Sequence, residues 1–146
     1  MKRKKLFEFL EHTADLYIAA YGENLEEAFE NAAYAMFDGM TDLEKVQAKL
    51  EESVTVEGYD EQALLYNWLE ALLVKFDVTG SLYSRFEIAK IENTSSGFKL
   101  KAKIWGEPFN PEKHQSKVGV KAVTYHQMEI SRDARGEVAV RFILDI

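Results

Sequence analysis

The order of hydrophobic patterns along the chain limits the possible folds more than any other feature. Two segments repeat their apolar residues every three to four positions, as amphipathic helices do, and other segments alternate with the period of two that strands show. Both helical segments come early, and four strand segments follow the second of them. Helices early and consecutive strands late are typical of an α+β domain rather than of alternating βαβ units.

Local signals predict where the elements begin and end. The first strand is predicted at residues 16–21. Asn24 is a suitable N-cap for the first helix, and Glu27 at the third helical position makes a variant of the capping box. Asp60 is the expected N-cap of the second helix, and Gly80 marks its end. The other strands are predicted at residues 53–58, 82–91, 98–105, 119–130 and 137–146.

These elements predict one domain over residues 1–146, since a length of 146 residues suits a single hydrophobic core. The expected fold is α+β with two layers, in the order β-α-β-α-β-β-β-β. A mostly antiparallel or mixed sheet carries the two helices on one face. The composition, 47% hydrophobic and 29% charged, is that of a globular protein and not of a disordered one.

Charge and cysteine content exclude several classes of function. The net charge is −7, which argues against strong binding of RNA or DNA because such binding needs a basic surface. It leaves open a role in an RNA pathway through a protein partner, and it suits hard divalent cations. The sequence contains no cysteine, which excludes disulfides, thiolate catalysis and cysteine-based zinc or iron–sulfur sites.

The sequence predicts neither a secretory signal nor a membrane span. The chain starts with basic residues, but Glu8 and Glu11 interrupt the apolar run that a signal peptide needs. The most apolar segment, residues 63–78, includes Glu70, Lys75 and Asp77 and is therefore not expected to cross a bilayer. We predict a cytoplasmic protein that does not bind membranes.

Two aspartates near the chain ends are candidate metal ligands. Alternation places Asp15 on the same strand face as Tyr17, and Asp145 lies off the most apolar face of the last strand. Ile146 adds a terminal carboxylate. If the first and last strands are neighbours, three oxygen ligands suited to Ca²⁺ or Mg²⁺ meet. In the alternative, Asp15 caps a turn and Asp145 is solvated, and spacing alone favours this alternative.

The histidines and one lysine are the other polar residues of interest. His12 is expected to order the loop beside Asp15 through a hydrogen bond, not to act as a general base. Lys121 stands among apolar and β-branched residues, and it either extends to solvent or contacts a phosphate or an acidic partner. His114 ends a proline-containing loop and is expected to be exposed, and His126 is expected to be a hydrogen-bonded strand residue. No nucleophile elbow or phosphate-binding glycine loop accompanies them.

Several motifs, in order along the whole chain, resemble those of the archease family. They are HTAD at residues 12–15, NWLEALLVKFD at 67–77, WGEPFNPEKH at 105–114, KAVTYH at 121–126 and ILDI at 143–146, with AYGENLEEAFENAAYAMFDGMTD at 20–42. The resemblance implies a non-catalytic accessory protein of an RtcB-type RNA ligase, which joins tRNA halves. Such a protein promotes guanylylation of the ligase, permits multiple turnover and broadens its use of nucleoside triphosphates.

The resemblance also implies a metal site and a set of partners. Its ligands would be Asp15, Asp145 and Ile146, and the metal is expected to be calcium. Lys121 and His12 become candidate contacts to the partner or to a phosphate. The partners implied are the ligase and, as an older view of the family, a tRNA methyltransferase modulated in a chaperone-like way. A metal-dependent hydrolase using Asp15, Asp145 and His12 is a third hypothesis.

Overall fold

The structure, a computed structural model, describes residues 5–11 and 15–146. His12, Thr13 and Ala14 of the HTAD motif therefore lie outside the described residues, and the expectations for His12 stay predictions. In chain order, the elements are β1 (Phe7–Leu10), β2 (Asp15–Gly22), α1 (Leu25–Met40), the 3-10 turn η1 (Leu43–Lys45), β3 (Leu50–Gly58), α2 (Glu61–Thr79), β4 (Ser81–Thr94), β5 (Gly97–Pro108), β6 (Ala122–Val123), β7 (Glu129–Arg132) and β8 (Val138–Asp145).

The strands form two antiparallel sheets, which confirms the α+β class. One sheet has the order β1-β2-β8-β6, and β7 also pairs with β8; the other has the order β3-β5-β4. Both β6 and β7 pair with one edge of β8, β6 near its end and β7 near its start. We predicted one sheet instead of two, because alternation identifies a strand without identifying its partner.

Both helices contact strands of both sheets, so they are not confined to the face of one sheet. Helix α1 packs against β2 and β4, and α2 packs against β3 and β6. The indole N–H of Trp68 in α2 donates a hydrogen bond to the main-chain oxygen of Phe29 in α1 over 2.9 Å. Both aromatic side chains are fully buried, as their helical spacing predicted.

The predicted helix caps are present. The side chain of Asn24 accepts a hydrogen bond from the N–H of Glu27 over 2.8 Å, and the Glu27 carboxylate accepts one from the main chain just before the helix. Asp60 accepts from the N–H of Ala63 over 2.7 Å. Gly80 ends α2 in the left-handed conformation, with φ of 73°. Capping therefore fixes both helices at the boundaries that the sequence indicates.

Two strand predictions differ from the structure. Strand β1 was not predicted, since it has only four residues and pairs with β2 at the edge of its sheet. Residues 119–130 were predicted as one strand, but they contain β6 and the first part of β7, separated by a turn in which Gln127 has φ of 54°. Among residues 5–11 and 15–146, no helix has the length and apolar character that a membrane span requires.

Candidate metal and partner site

The first long strand and the last strand are neighbours. Strands β2 and β8 run antiparallel, with Asp15 directly opposite Asp145 and the pairing continuing to Gly22 opposite Val138. Side chains of directly opposed residues in such a pair lie on the same face of the sheet. The first and last predicted strands are therefore neighbours, as the convergence of the two aspartates requires.

The two aspartates lie on the face of this sheet that points away from the core. The alternate residues of β8, including Phe142 and Leu144, are fully buried. Asp145 is exposed and Asp15 is partly exposed. Like charges directly opposite each other in a sheet are destabilising unless another charge compensates them. The pair therefore forms an acidic edge, composed of Asp15, Asp145 and the adjacent Ile146.

Lys121 is attached to this acidic edge through its main chain. Its N–H donates a hydrogen bond to the main-chain oxygen of Asp145 over 2.7 Å, and the next residue, Ala122, pairs with Asp145 in the sheet. The Thr124 hydroxyl donates to the main-chain oxygen of Ile143 over 2.9 Å. The KAVTYH and ILDI motifs thus lie side by side, and Lys121 is an exposed residue whose main chain contacts that of Asp145.

The donor set of the acidic edge fits a hard cation. Across the described ranges there is no group of three or more His, Asp or Glu side chains arranged to hold a metal ion. Asp15 and Asp145 supply two carboxylates on opposed strands, and Ile146 follows Asp145 directly in the sequence. Oxygen ligands without nitrogen or sulfur are those that Ca²⁺ and Mg²⁺ prefer.

A second polar cluster lies in the WGEPFNPEKH motif, and it corrects our expectation for His114. This side chain is buried, with 2% exposure, and Glu107 beside it is 6% exposed. One carboxylate oxygen of Glu107 accepts from the N–H of Gln47 over 2.8 Å, from Lys113 Nζ over 2.7 Å and from His114 Nε2 over 3.0 Å. Because this buried carboxylate accepts all three hydrogen bonds, it has a structural role in holding the loop in place.

Hydrogen bonding also determines the tautomer of His114. The N–H of Asn110 donates to His114 Nδ1 over 2.9 Å, so the ring proton of the neutral imidazole lies on Nε2 and points to Glu107. Burial of Glu107 opposes its charge, but hydrogen bonds from Gln47, Lys113 and His114 outweigh this effect and lower the pKa of Glu107 to about 2. No local pattern in the sequence predicts this cluster, because Gln47 is sixty positions away from Glu107.

Comparison with known proteins agrees with the resemblance seen in the sequence. The profile of the Archease protein family (MTH1598/TM1083) matches residues 7–146. A protein named archease from Pyrococcus abyssi is 49% identical over 142 residues, covering 97% of this chain and 99% of the relative. An archease from Methanosarcina mazei is 41% identical over 142 residues, covering 97% of each chain.

A solved structure has the same fold. The solution structure of protein 1598 from Methanobacterium thermoautotrophicum aligns with a TM-score of 0.85 at 43% identity, covering 97% of this chain and 99% of that one. The match extends over both sheets and both helices, since so little of either chain is left out. The family profile and relatives of this identity and coverage give one conclusion: the chain belongs to the archease family.

Proposed function

We propose that this protein is a non-catalytic activator of an RtcB-type tRNA-splicing ligase. It would promote guanylylation of the ligase, permit multiple turnover and broaden the choice of nucleoside triphosphate. Membership of the archease family supports the proposal that the partner is such a ligase. The observation that carries the proposal for the site is the placement of Asp15 directly opposite Asp145 on the outer face of the sheet.

The acidic edge is the proposed site of a divalent cation, expected to be calcium. The carboxylates of Asp15 and Asp145 and the carboxyl group of Ile146 would hold it. When bound, such a cation neutralises the carboxylates and offers a positive centre to phosphate oxygens. The direct opposition of two aspartates on adjacent strands supports this assignment, because their side chains lie on the same face of the sheet.

The roles proposed for the other residues are binding and positioning. Lys121, fixed to Asp145 through its main chain, would contact a phosphate or an acidic group of the ligase. His12 is the other proposed contact to the ligase or to a phosphate. A cation next to an acidic edge is suited to aligning a partner's phosphate groups. We further propose that the protein acts in the cytoplasm and consists of a single domain.

The proposal is tested by GMP transfer to a purified RtcB-type ligase from the same source. The ligase is incubated with radiolabelled GTP alone, with the wild-type protein, and with the Asp15→Asn or Asp145→Asn variant. Asp77→Asn is a matched control, because Asp77 is an exposed aspartate on α2, in neither of the strands that carry the pair. We expect the wild type and the control to accelerate labelling and both site variants to lose at least nine-tenths of this effect.

Two other results would reject parts of the proposal. Equal acceleration by all variants would separate the activator role from the acidic edge. No acceleration by the wild type would reject the activator role, and a chaperone-like effect on a tRNA methyltransferase would then be the next function to test. Phosphoester hydrolysis by the isolated protein, abolished by chelation, would instead support a hydrolase.

A further inference from the structure

A half-open pocket is lined in part by the loop that leads to Lys121. It has a volume of about 200 Å³ and lies between the end of α1, the end of α2 and the loop at residues 116–120. Its walls are mainly apolar and include Met40, Phe76, Leu82 and Phe109. Phe109 is 37% exposed, so an aromatic surface is accessible at the rim of the pocket.

The loop that forms one wall of the pocket is fixed to α1 by hydrogen bonds. The Thr41 hydroxyl donates to the main-chain oxygen of Gln115 over 2.6 Å. The N–H groups of Lys117 and Val118 donate to the oxygens of Met40 and Gly39 over 2.9 and 3.2 Å. The pocket is therefore formed in the protein alone, so a ligand that enters it does not have to order this wall first.

The size of the pocket indicates what it accepts. Pockets for small molecules and cofactors usually have volumes of roughly 300–1,000 Å³. A volume of about 200 Å³ is below this range, and it suits one large apolar side chain. Apolar anchors that fill a pocket on the partner are typical of the energetic centres of protein interfaces.

The position of the pocket relates it to the acidic edge. Val120 lines the pocket, and the next residue, Lys121, donates its N–H to Asp145. The wall of the pocket therefore continues directly into the segment that is hydrogen-bonded to Asp145. Lys117 and Lys121 on this loop are exposed, whereas Lys113 is paired with Glu107. Two exposed lysines beside the pocket are complementary to acidic residues on a partner.

We infer that this pocket is a docking site for one leucine, methionine or phenylalanine side chain that projects from an acidic segment of the ligase. The inference rests on the proposed function, because the ligase is the protein that would supply the side chain. It adds an apolar anchor to a contact that the acidic edge alone would make by charge.

Gly119 allows the pocket to be filled with little disturbance of the fold. It lines the pocket, and a Cβ atom added there meets no other atom within 4 Å. Gly119→Trp is therefore the test variant, and Gly119→Ala is the matched control for the loss of glycine. Ser95→Trp, in the exposed turn between β4 and β5, controls for an added surface tryptophan. Ser116→Phe fills the pocket from a second position.

Three measurements on each variant test the docking site. They are the Kd for the ligase, the stimulation of GMP transfer, and the Tb³⁺ luminescence of the isolated protein as a probe of the acidic edge. We expect Gly119→Trp and Ser116→Phe to raise the Kd at least tenfold and reduce stimulation, with Tb³⁺ binding and thermal midpoint unchanged. The Gly119→Ala and Ser95→Trp controls should match the wild type.

Wild-type affinity and stimulation in both filled variants would overturn the inference and leave the proposed function intact. Loss of Tb³⁺ binding together with ligase binding would also overturn it, because the pocket would then act only through the acidic edge. A wild-type protein that neither binds nor stimulates the ligase would reject the proposed function itself.

Discussion

A single buried carboxylate, that of Glu107, joins three segments of the chain. It accepts hydrogen bonds from the main chain of Gln47 after η1 and from Lys113 and His114 in the loop that follows β5. Lys49 adds a longer ion-pair contact of 3.8 Å. The same loop continues to the pocket wall and to Lys121. The contacts of Glu107 therefore fix the first part of this loop.

Replacement of this carboxylate by an amide tests its contribution. Glu107→Gln keeps the shape of the side chain but replaces hydrogen bonds to a charged acceptor by weaker ones. We expect the free energy of unfolding at pH 7 to fall by roughly 1.5–3 kcal/mol, the range for hydrogen bonds to charged groups. Urea unfolding of the variant measures this, with the exposed Glu112→Gln as the control. An unchanged midpoint would show that the cluster adds no stability.

The same variant predicts a pH dependence. The pKa of Glu107 is lowered from 4.5 to about 2 in the folded protein, so its stabilisation is fully present above pH 4.5. It is lost as the pH falls from 4.5 towards 2. We therefore expect the stability difference between wild type and Glu107→Gln to be constant near neutrality and to narrow below pH 4.5. A difference that stays constant down to pH 2 would contradict this assignment.

The sequence predicted the residues of the acidic edge but not those of the buried cluster. Alternation alone placed Asp15 and Asp145 off the apolar faces of their strands, and the archease resemblance linked them. His114 was expected to be exposed because it follows a proline-containing loop. The buried His114 ring contacts Glu107, and no local pattern predicts the contact between the Glu107 carboxylate near the end of β5 and the main-chain N–H of Gln47.

At the scale of elements, helix α1 is attached to the edge strand β4 by a side chain. Glu30 accepts a hydrogen bond from the N–H of Ile88 over 2.7 Å, beside a register shift between Ile88 and Lys90. Strand β4 is at the edge of its sheet, where unpaired N–H groups invite pairing with another chain. The carboxylate therefore satisfies one of these groups while it fixes the helix on the sheet.

Burial raises the pKa of Glu30 above 4.5, although the hydrogen bond from Ile88 opposes the rise. A raised pKa means that the charged form disfavours folding, so this penalty is present above the folded pKa and disappears as the pH falls below 4.5. Glu30→Gln keeps an acceptor for Ile88 without the charge. We expect it to stabilise the protein at pH 7 by up to about 1 kcal/mol, with no difference from wild type near pH 4.

The control for this prediction lies on the same helix. Glu26→Gln removes a charge from the first turn of α1 and leaves the hydrogen bond between Glu30 and Ile88 in place. Thermal unfolding at pH 7 and pH 4 compares the three proteins. If Glu30→Gln destabilises the protein at pH 7, the contradicting conclusion follows: the charge of Glu30 strengthens its hydrogen bond with Ile88 by more than the burial of that charge costs.

Helices were predicted better than strands for physical reasons. A helix is defined by local spacing and by its caps, and both Asn24 and Asp60 act as caps in the structure. A strand also depends on distant partners. The residues between β6 and β7 contain no Gly, Pro, Asn or Asp, so the turn at Gln127 has none of the usual turn residues, and the period-two pattern extends through it.

At the scale of the whole molecule, the acidic edge lies where the two ends of the chain meet. Strand β8 comes last in the sequence, yet it lies between β2 on one side and β6 and β7 on the other. An ion held by Asp15 and Asp145 would therefore join strands that are separated by nearly the whole sequence. Binding of a ligand to the folded state alone raises the stability of the entire domain.

Calcium is therefore expected to stabilise the wild-type protein against unfolding. At a free concentration one hundred times the Kd, the gain is about 2.7 kcal/mol. Asp145→Asn should abolish this gain. Urea unfolding with calcium and with chelator measures this gain, and Asp77→Asn should keep the wild-type calcium response. An Asp145→Asn variant that keeps the calcium response would show that Asp145 is not a metal ligand.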